Sequence, residues 1–77
     1  MKKFLKYLIS SIVQNPNNVS IEEEKEEDGL LNLIVSVHPD DVKIVIGKNG
    51  QTIKALRELI RIIAIKERKK FNIKIKE

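Results

Sequence analysis

Apolar residues recur at helical spacing at the start of the chain. Phe4, Leu5, Leu8, Ile9, Ile12 and Val13 are separated by lysines and serines, and Asn15-Pro16-Asn17-Asn18 stops the pattern. This predicts an amphipathic first helix. The spacing then becomes alternating. Val19 and Ile21 flank Ser20 before the chain enters the acidic run EEEKEED at residues 22–28. Leu31, Leu33, Val35 and Val37 alternate with Asn32, Ile34, Ser36 and His38. A period of two places successive side chains on opposite faces of a strand, so the two runs predict an antiparallel hairpin with one face buried. Asp28-Gly29 between them is a two-residue turn signal, because both turn positions favour positive φ.

His38-Pro39-Asp40-Asp41 reads as a helix start: proline fixes φ, and the aspartates suit a helix N-terminus through capping and the dipole. A short helix is expected over about 40–46. Gly47-Lys48-Asn49-Gly50 breaks it, and a long helix is expected from about Gln51 to Lys69. Phe71, Ile73 and Ile75 alternate with Asn72, Lys74 and Lys76, predicting a closing strand. The order is α-β-β-α-α-β. The two helices between the second and third strands are long enough for a crossover that makes those strands parallel. The expected fold class is α+β, a three-stranded mixed sheet with helices packed on one face.

Plotted at about 100° per residue, the long helix has distinct sides. Ile53, Leu56, Leu59, Ile60 and Ile63 share an arc expected to face the sheet. Lys54, Arg57, Arg61 and Arg68 lie within roughly 60° of one another on a different side. Such a stripe is either a solvated charged face or, since it starts one turn beyond the glycines, a continuation of a binding surface there. Ile62 and Ile65 fit neither arc. They are expected to pack under the first helix, with a self-association patch as the alternative.

Length changes the picture by leaving room for one domain, 1–77, with a modest apolar core. There is no cysteine and only one histidine, His38, so neither a thiolate site nor a histidine-rich metal centre can form, and no cofactor is expected. The net charge of +4 is unevenly spread. Residues 1–39 hold 4 basic and 6 acidic side chains, whereas 40–77 hold 11 basic and 5 acidic. The basic half contains the glycine loop, which favours a polyanionic partner. Lys6 interrupts the apolar stretch behind Lys2 and Lys3, and no small-residue cleavage site follows, which argues against a signal peptide. No run of about 20 apolar residues exists to cross a membrane. The acidic run, 6 carboxylates against Lys25, reads as a solubilising edge that discourages sheet-to-sheet pairing.

The loop carries the chemistry. Glycines at 47 and 50 let the backbone turn between helices and let a ligand approach without a Cβ in the way. The amides opening the long helix add the positive end of its dipole, which suits a phosphate. Lys48 supplies a mobile charge, and Asn49 supplies hydrogen-bonding groups and tolerates a left-handed conformation. Val42, Ile46 and Ile53 offer an apolar floor on which a base can lie. The bland alternative is a well-made turn without a ligand. A phosphate loop of the NTPase type is excluded, because it needs Gly-Lys-Ser/Thr after a longer glycine-rich loop that follows a strand, and Gly47 follows a short helix.

Val45-Ile46-Gly47-Lys48-Asn49-Gly50-Gln51-Thr52-Ile53 resembles the V-I-G-x-x-G-x-x-I signature of KH domains. These clamp about four nucleotides of single-stranded nucleic acid with the G-x-x-G loop. The element order is similar to the bacterial, type II arrangement, and the resemblance covers nearly the whole chain. The short length further resembles the small stand-alone KH proteins of bacteria, implicated as RNA chaperones or post-transcriptional regulators that work with a second KH-containing protein. Carried over by position, the resemblance implies that Gly47 and Gly50 shape the loop while Lys48 and Asn49 contact phosphate and sugar. Val42, Ile46 and Ile53 then line the groove, with Lys43, Lys54 and Arg57 at its rim.

The expectation is a cytoplasmic module that binds single-stranded RNA with weak sequence preference, either alone, as a homodimer or with a second KH-containing protein. Phe4, Tyr7 and Phe71 are expected to pack rather than to stack bases. Two other classes compete. A helix-turn-helix DNA reader needs no hairpin and no paired glycines, and a protein-interaction adaptor would use Ile62 and Ile65 and be indifferent to Lys48. An enzyme is not expected, because no nucleophile-base pair, carboxylate pair or metal cluster can be placed in a common pocket.

Overall fold

The computed structural model describes residues 1–76. Helix α1 (Lys2–Ser10) is followed by a 3-10 turn at Pro16–Asn18 and by strands β1 (Ser20–Lys25) and β2 (Leu31–Ser36). A second 3-10 turn, Pro39–Asp41, leads into α2 (Val42–Ile46); Lys48–Gly50 forms a third, and α3 (Gln51–Glu67) and β3 (Phe71–Ile75) complete the chain. The strands pair in the order β1-β2-β3, β1 antiparallel to β2 and β2 parallel to β3. The fold is therefore α+β with a three-stranded mixed sheet, as the element order implies.

Register explains the core. Ile21 lies opposite Val35 and Val35 beside Ile75, while Leu33 pairs with Ile73 and Leu31 with Phe71. One face thus carries a continuous apolar layer. Leu5 and Ile9 of α1, Val45 of α2, and Leu56 and Ile60 of α3 pack on it, with Leu5, Ile9, Leu33, Val35, Val45 and Ile60 wholly buried. At roughly 25 cal/mol per Å² of apolar surface, this layer supplies most of the drive to fold. Ile60→Ala is a cavity substitution costing about 2–5 kcal/mol.

Several elements differ from the sequence expectation for definable reasons. Helix α1 stops at Ser10, so Ile12 and Val13 lie beyond it, and Ile12 is exposed. The hairpin connection is wider than two residues: the Glu26 amide donates to the Leu30 carbonyl at 2.8 Å, and the Asp28 carboxylate accepts from the Leu30 amide at 3.0 Å. Of the two turn residues only Gly29 has positive φ, +89°. The stretch expected as a helix from residue 40 begins as the 3-10 turn, in which the Asp40 amide donates to His38 Nδ1 at 3.1 Å.

Asp41 caps no helix with its side chain. Its buried carboxylate accepts from the Gln14 amide (3.1 Å), the Asn15 amide (2.9 Å) and Asn15 Nδ2 (3.1 Å). Burial pushes its pKa up, but the bonds from Gln14 and Asn15, with His38 nearby, outweigh this and hold the carboxyl below its ordinary value.

The long helix ends at Glu67 rather than Lys69. Arg68 adopts a left-handed conformation (φ 56°, ψ 43°), its amide donating to the Ile65 carbonyl at 3.1 Å and the Lys69 amide to the Ala64 carbonyl at 2.8 Å. This is a Schellman stop with arginine where glycine is usual.

On α3 the buried row is Leu56, Ile60 and Ala64. Leu59, expected to face the sheet, sits at the margin of that arc and is exposed. Ile62 and Ile65, expected to pack under α1, are 65% and 66% exposed, because α1 and the sheet cover other sides of α3. Tyr7, likewise expected to pack, is 69% exposed, and Phe4 is on the surface, while Phe71 packs against the core.

Candidate nucleic-acid interface

The four-residue turn between α2 and α3 is built from unusual backbone. The Gly47 amide donates to the Lys43 carbonyl at 2.8 Å, closing α2, and the Gly50 amide donates to the Gly47 carbonyl at 3.1 Å. Gly47 has φ 78° and ψ 170°, a region open essentially to glycine alone. A Cβ there would strike the Thr52 side chain and stand 2.7 Å from the Thr52 backbone nitrogen. Asn49 (φ 56°, ψ 26°) and Gly50 (φ 74°, ψ 16°) are both left-handed, the conformation that asparagine and glycine tolerate best. Gly50 has room for a Cβ, since the nearest atom would be Ile53 Cγ2 at 4.0 Å. Gly47 therefore serves close approach, and Gly50 serves the turn.

The consequence is a tight knuckle with Lys48 and Asn49 exposed at its tip. Directly after it α3 opens, and the amides of Thr52 and Ile53 have no acceptor within that helix. A lysine, a side-chain amide and the positive end of a long helix thus meet at one point, an arrangement suited to a phosphate.

Val42 and Ile46 lie one turn apart on α2 and are half-buried, as is Ile53, which also packs on the core. Lys43, Lys54 and Arg57 are exposed on the flanking helices. All ten residues singled out from the sequence thus fall on α2, the knuckle and the first two turns of α3.

This KH signature, set between two helices above a mixed sheet, is matched along nearly the whole chain: a family model described as KhpA/KhpB, KH domain, covers residues 2–75. The chain belongs to the KhpA/KhpB KH-domain family. It is similar to a protein named RNA-binding protein KhpA from Halalkalibacterium halodurans, 37% identical over 76 residues that cover 97% of each chain. A protein of the same name from Chlamydia caviae is 38% identical, covering 100% of this chain and 97% of its own. Among solved structures, Era in complex with MgGDPNP and nucleotides 1506–1542 of 16S ribosomal RNA aligns with a TM-score of 0.62. That match has 13% identity and covers 96% of this chain but 28% of that one, so it speaks to the fold alone.

Two concavities of this KH domain lie toward the far end of α3 rather than at the knuckle. One is lined by Arg57, Arg61, Ala64, Lys69, Lys70 and Phe71, among others; the second lies between the hairpin tip and the α3–β3 turn. Arg57 thus belongs both to the expected rim and to the first concavity. Sequence reasoning placed Arg61 on the basic stripe but did not connect it to Lys69, Lys70 and Phe71. Helical periodicity ends at Glu67, and what brings β3 beside α3 is the crossover, which no local pattern records.

Proposed function

We propose that this KH domain binds single-stranded RNA through the Gly47–Gly50 knuckle. In this reading, Lys48 and Asn49 contact phosphate and sugar, Val42, Ile46 and Ile53 support the bases, and Lys43, Lys54 and Arg57 hold the strand at the rim. The observation that carries the reading is the backbone of Gly47 and Gly50, whose positive φ turns the chain so that Lys48 and Asn49 stand exposed at the opening of α3. The relatives named RNA-binding protein KhpA support RNA as the polyanion.

Binding should be modest and weakly selective, because a single such site spans about four nucleotides and no aromatic side chain belongs to the proposed groove. The role is that of an RNA chaperone or post-transcriptional regulator in the cytoplasm, a binding rather than a catalytic role. Among the described residues no helix is long and apolar enough to cross a membrane. The partner besides RNA is a second copy or another KH-containing protein, received by the exposed apolar crest of Leu59, Ile62 and Ile65.

Fluorescence anisotropy with labelled single-stranded RNA tests the site. Lys48→Asp/Asn49→Asp puts two negative charges on the knuckle and keeps both glycines, so the expected result is a folded protein that no longer binds. Equal binding by wild type and variant would remove the knuckle from the site. With about 3 to 4 phosphates neutralised, log K of the wild type should fall against log salt with a slope of about −2 to −3.

A further inference from the structure

The basic surface does not end where a four-nucleotide clamp would. Along α3 the exposed cations Lys54, Arg57 and Arg61 lead from the knuckle to the α3–β3 turn, about 25 Å away for a helix of 17 residues. Arg57 and Arg61 line the first concavity together with Lys69 and Lys70. Those two lysines, with Arg68 and Lys25, also line the second, across from the hairpin tip. The two hollows therefore meet at the Lys69-Lys70 ridge.

Acidic groups sit on this route as well. Glu58 pairs with Arg61 at 3.9 Å and Glu67 with Lys69 at 3.5 Å, while Glu23 and Asp28 stand on the hairpin side of the second hollow. Among the described residues, Arg68 and Lys70 make no ion pair, and both are exposed. Arg68 also occupies the left-handed position of the helix stop, where glycine is the residue of least strain.

We propose that an RNA strand held at the knuckle continues along α3 and makes a second backbone contact at the α3–β3 turn, through Arg68 and Lys70. The proposal rests on the RNA-binding reading above and lengthens its footprint beyond four nucleotides. The occupant is the phosphodiester backbone, because Arg68 and Lys70, two exposed cations that pair with no described residue, offer charge beside an open hollow.

Arg68→Gly/Lys70→Gln tests it without threatening the fold, since glycine suits φ 56° and the Lys70 backbone carbonyl still accepts from the Leu31 amide. Oligouridines of four and of ten nucleotides are the probes, titrated at several salt concentrations, with thermal melting as the folding control. The wild type should bind the ten-nucleotide RNA more tightly and with a steeper salt slope than the four-nucleotide one. The variant should melt no lower, bind the short RNA as the wild type does, and lose about 0.7 of salt slope on the long RNA for each phosphate contact removed.

An unchanged slope and affinity of the variant for the long RNA would overturn the proposal. So would a wild type that binds both lengths equally, and so would one that binds neither. If instead Lys48→Asp/Asn49→Asp kept its affinity while Arg68→Gly/Lys70→Gln lost it, the knuckle reading would fall and the turn contact would stand.

Discussion

Gly47 and Gly50 look equivalent in the sequence and are not equivalent in the fold. At Gly47 the conformation is glycine-only and the space for a Cβ is already taken by Thr52; at Gly50 only the conformation resists substitution. Gly47→Ala is expected to cost at least 1–3 kcal/mol, since the strained region and the clash act together, whereas Gly50→Ala should cost roughly 1–2 kcal/mol from the left-handed conformation alone. Urea unfolding of the two variants checks the order, and an equal or larger loss at Gly50 would contradict this account of the knuckle. The same reasoning makes Asn49 a compromise. It accepts φ 56° at a lower cost than most residues while presenting a polar side chain, which glycine would not supply.

Between elements, Asp41 joins the segment after α1 to the start of α2. Two amides and one side-chain amide converge on a carboxylate shielded from water, so Gln14 and Asn15 are held against the residue that precedes the knuckle's supporting helix. Because its folded-state pKa lies below the unfolded value of 3.8, its contribution is fully present above that pH and is lost as pH falls through the lower folded value. Asp41→Asn should therefore unfold at a lower urea midpoint near neutral pH, with a gap to wild type that stays constant down to about pH 5 and narrows below 3.8. A gap independent of pH across that range would mean that the carboxylate charge is not what holds the two segments. The hairpin makes a different connection: its acidic β1 lies on one edge of the sheet and discourages pairing there.

Across the whole molecule, the two edges of the sheet differ in charge. The acidic hairpin strand forms one edge of the sheet and the lysine-bearing β3 the other, so an approaching polyanion is repelled at the first and drawn toward the second. The apolar crest of α3 borders the basic surface, since Ile65 lines the same hollow as Arg57, Arg61, Lys69 and Lys70. Since Ile62 and Ile65 are exposed, Ile62→Ser/Ile65→Ser should leave the melting temperature nearly unchanged and, if the crest receives a second copy, reduce the sedimentation coefficient of concentrated protein toward that of a monomer. Identical sedimentation of both proteins as monomers would direct the crest toward a different partner.

By itself the sequence determined the element order, the mixed sheet, the alternating core positions of β2 and β3, and the place and composition of the knuckle. All but the mixed sheet, which follows from the length of the crossover between β2 and β3, are local matters. Periodicity, glycine spacing and the V-I-G-x-x-G-x-x-I pattern all lie within stretches of a few residues, where backbone preference and side-chain type act directly. Tertiary structure decided what depends on a neighbour distant in the chain. It left Ile62, Ile65 and Tyr7 uncovered because the partner elements cover other arcs, and it drew Asp41 away from a helix cap toward Gln14 and Asn15. It also distinguished Gly47 from Gly50 by the position of Thr52, and set Arg57 and Arg61 beside Lys69 and Lys70 once the crossover had laid β3 against α3. A helical wheel gives the angle of a side chain, but only the packed molecule supplies what stands at that angle.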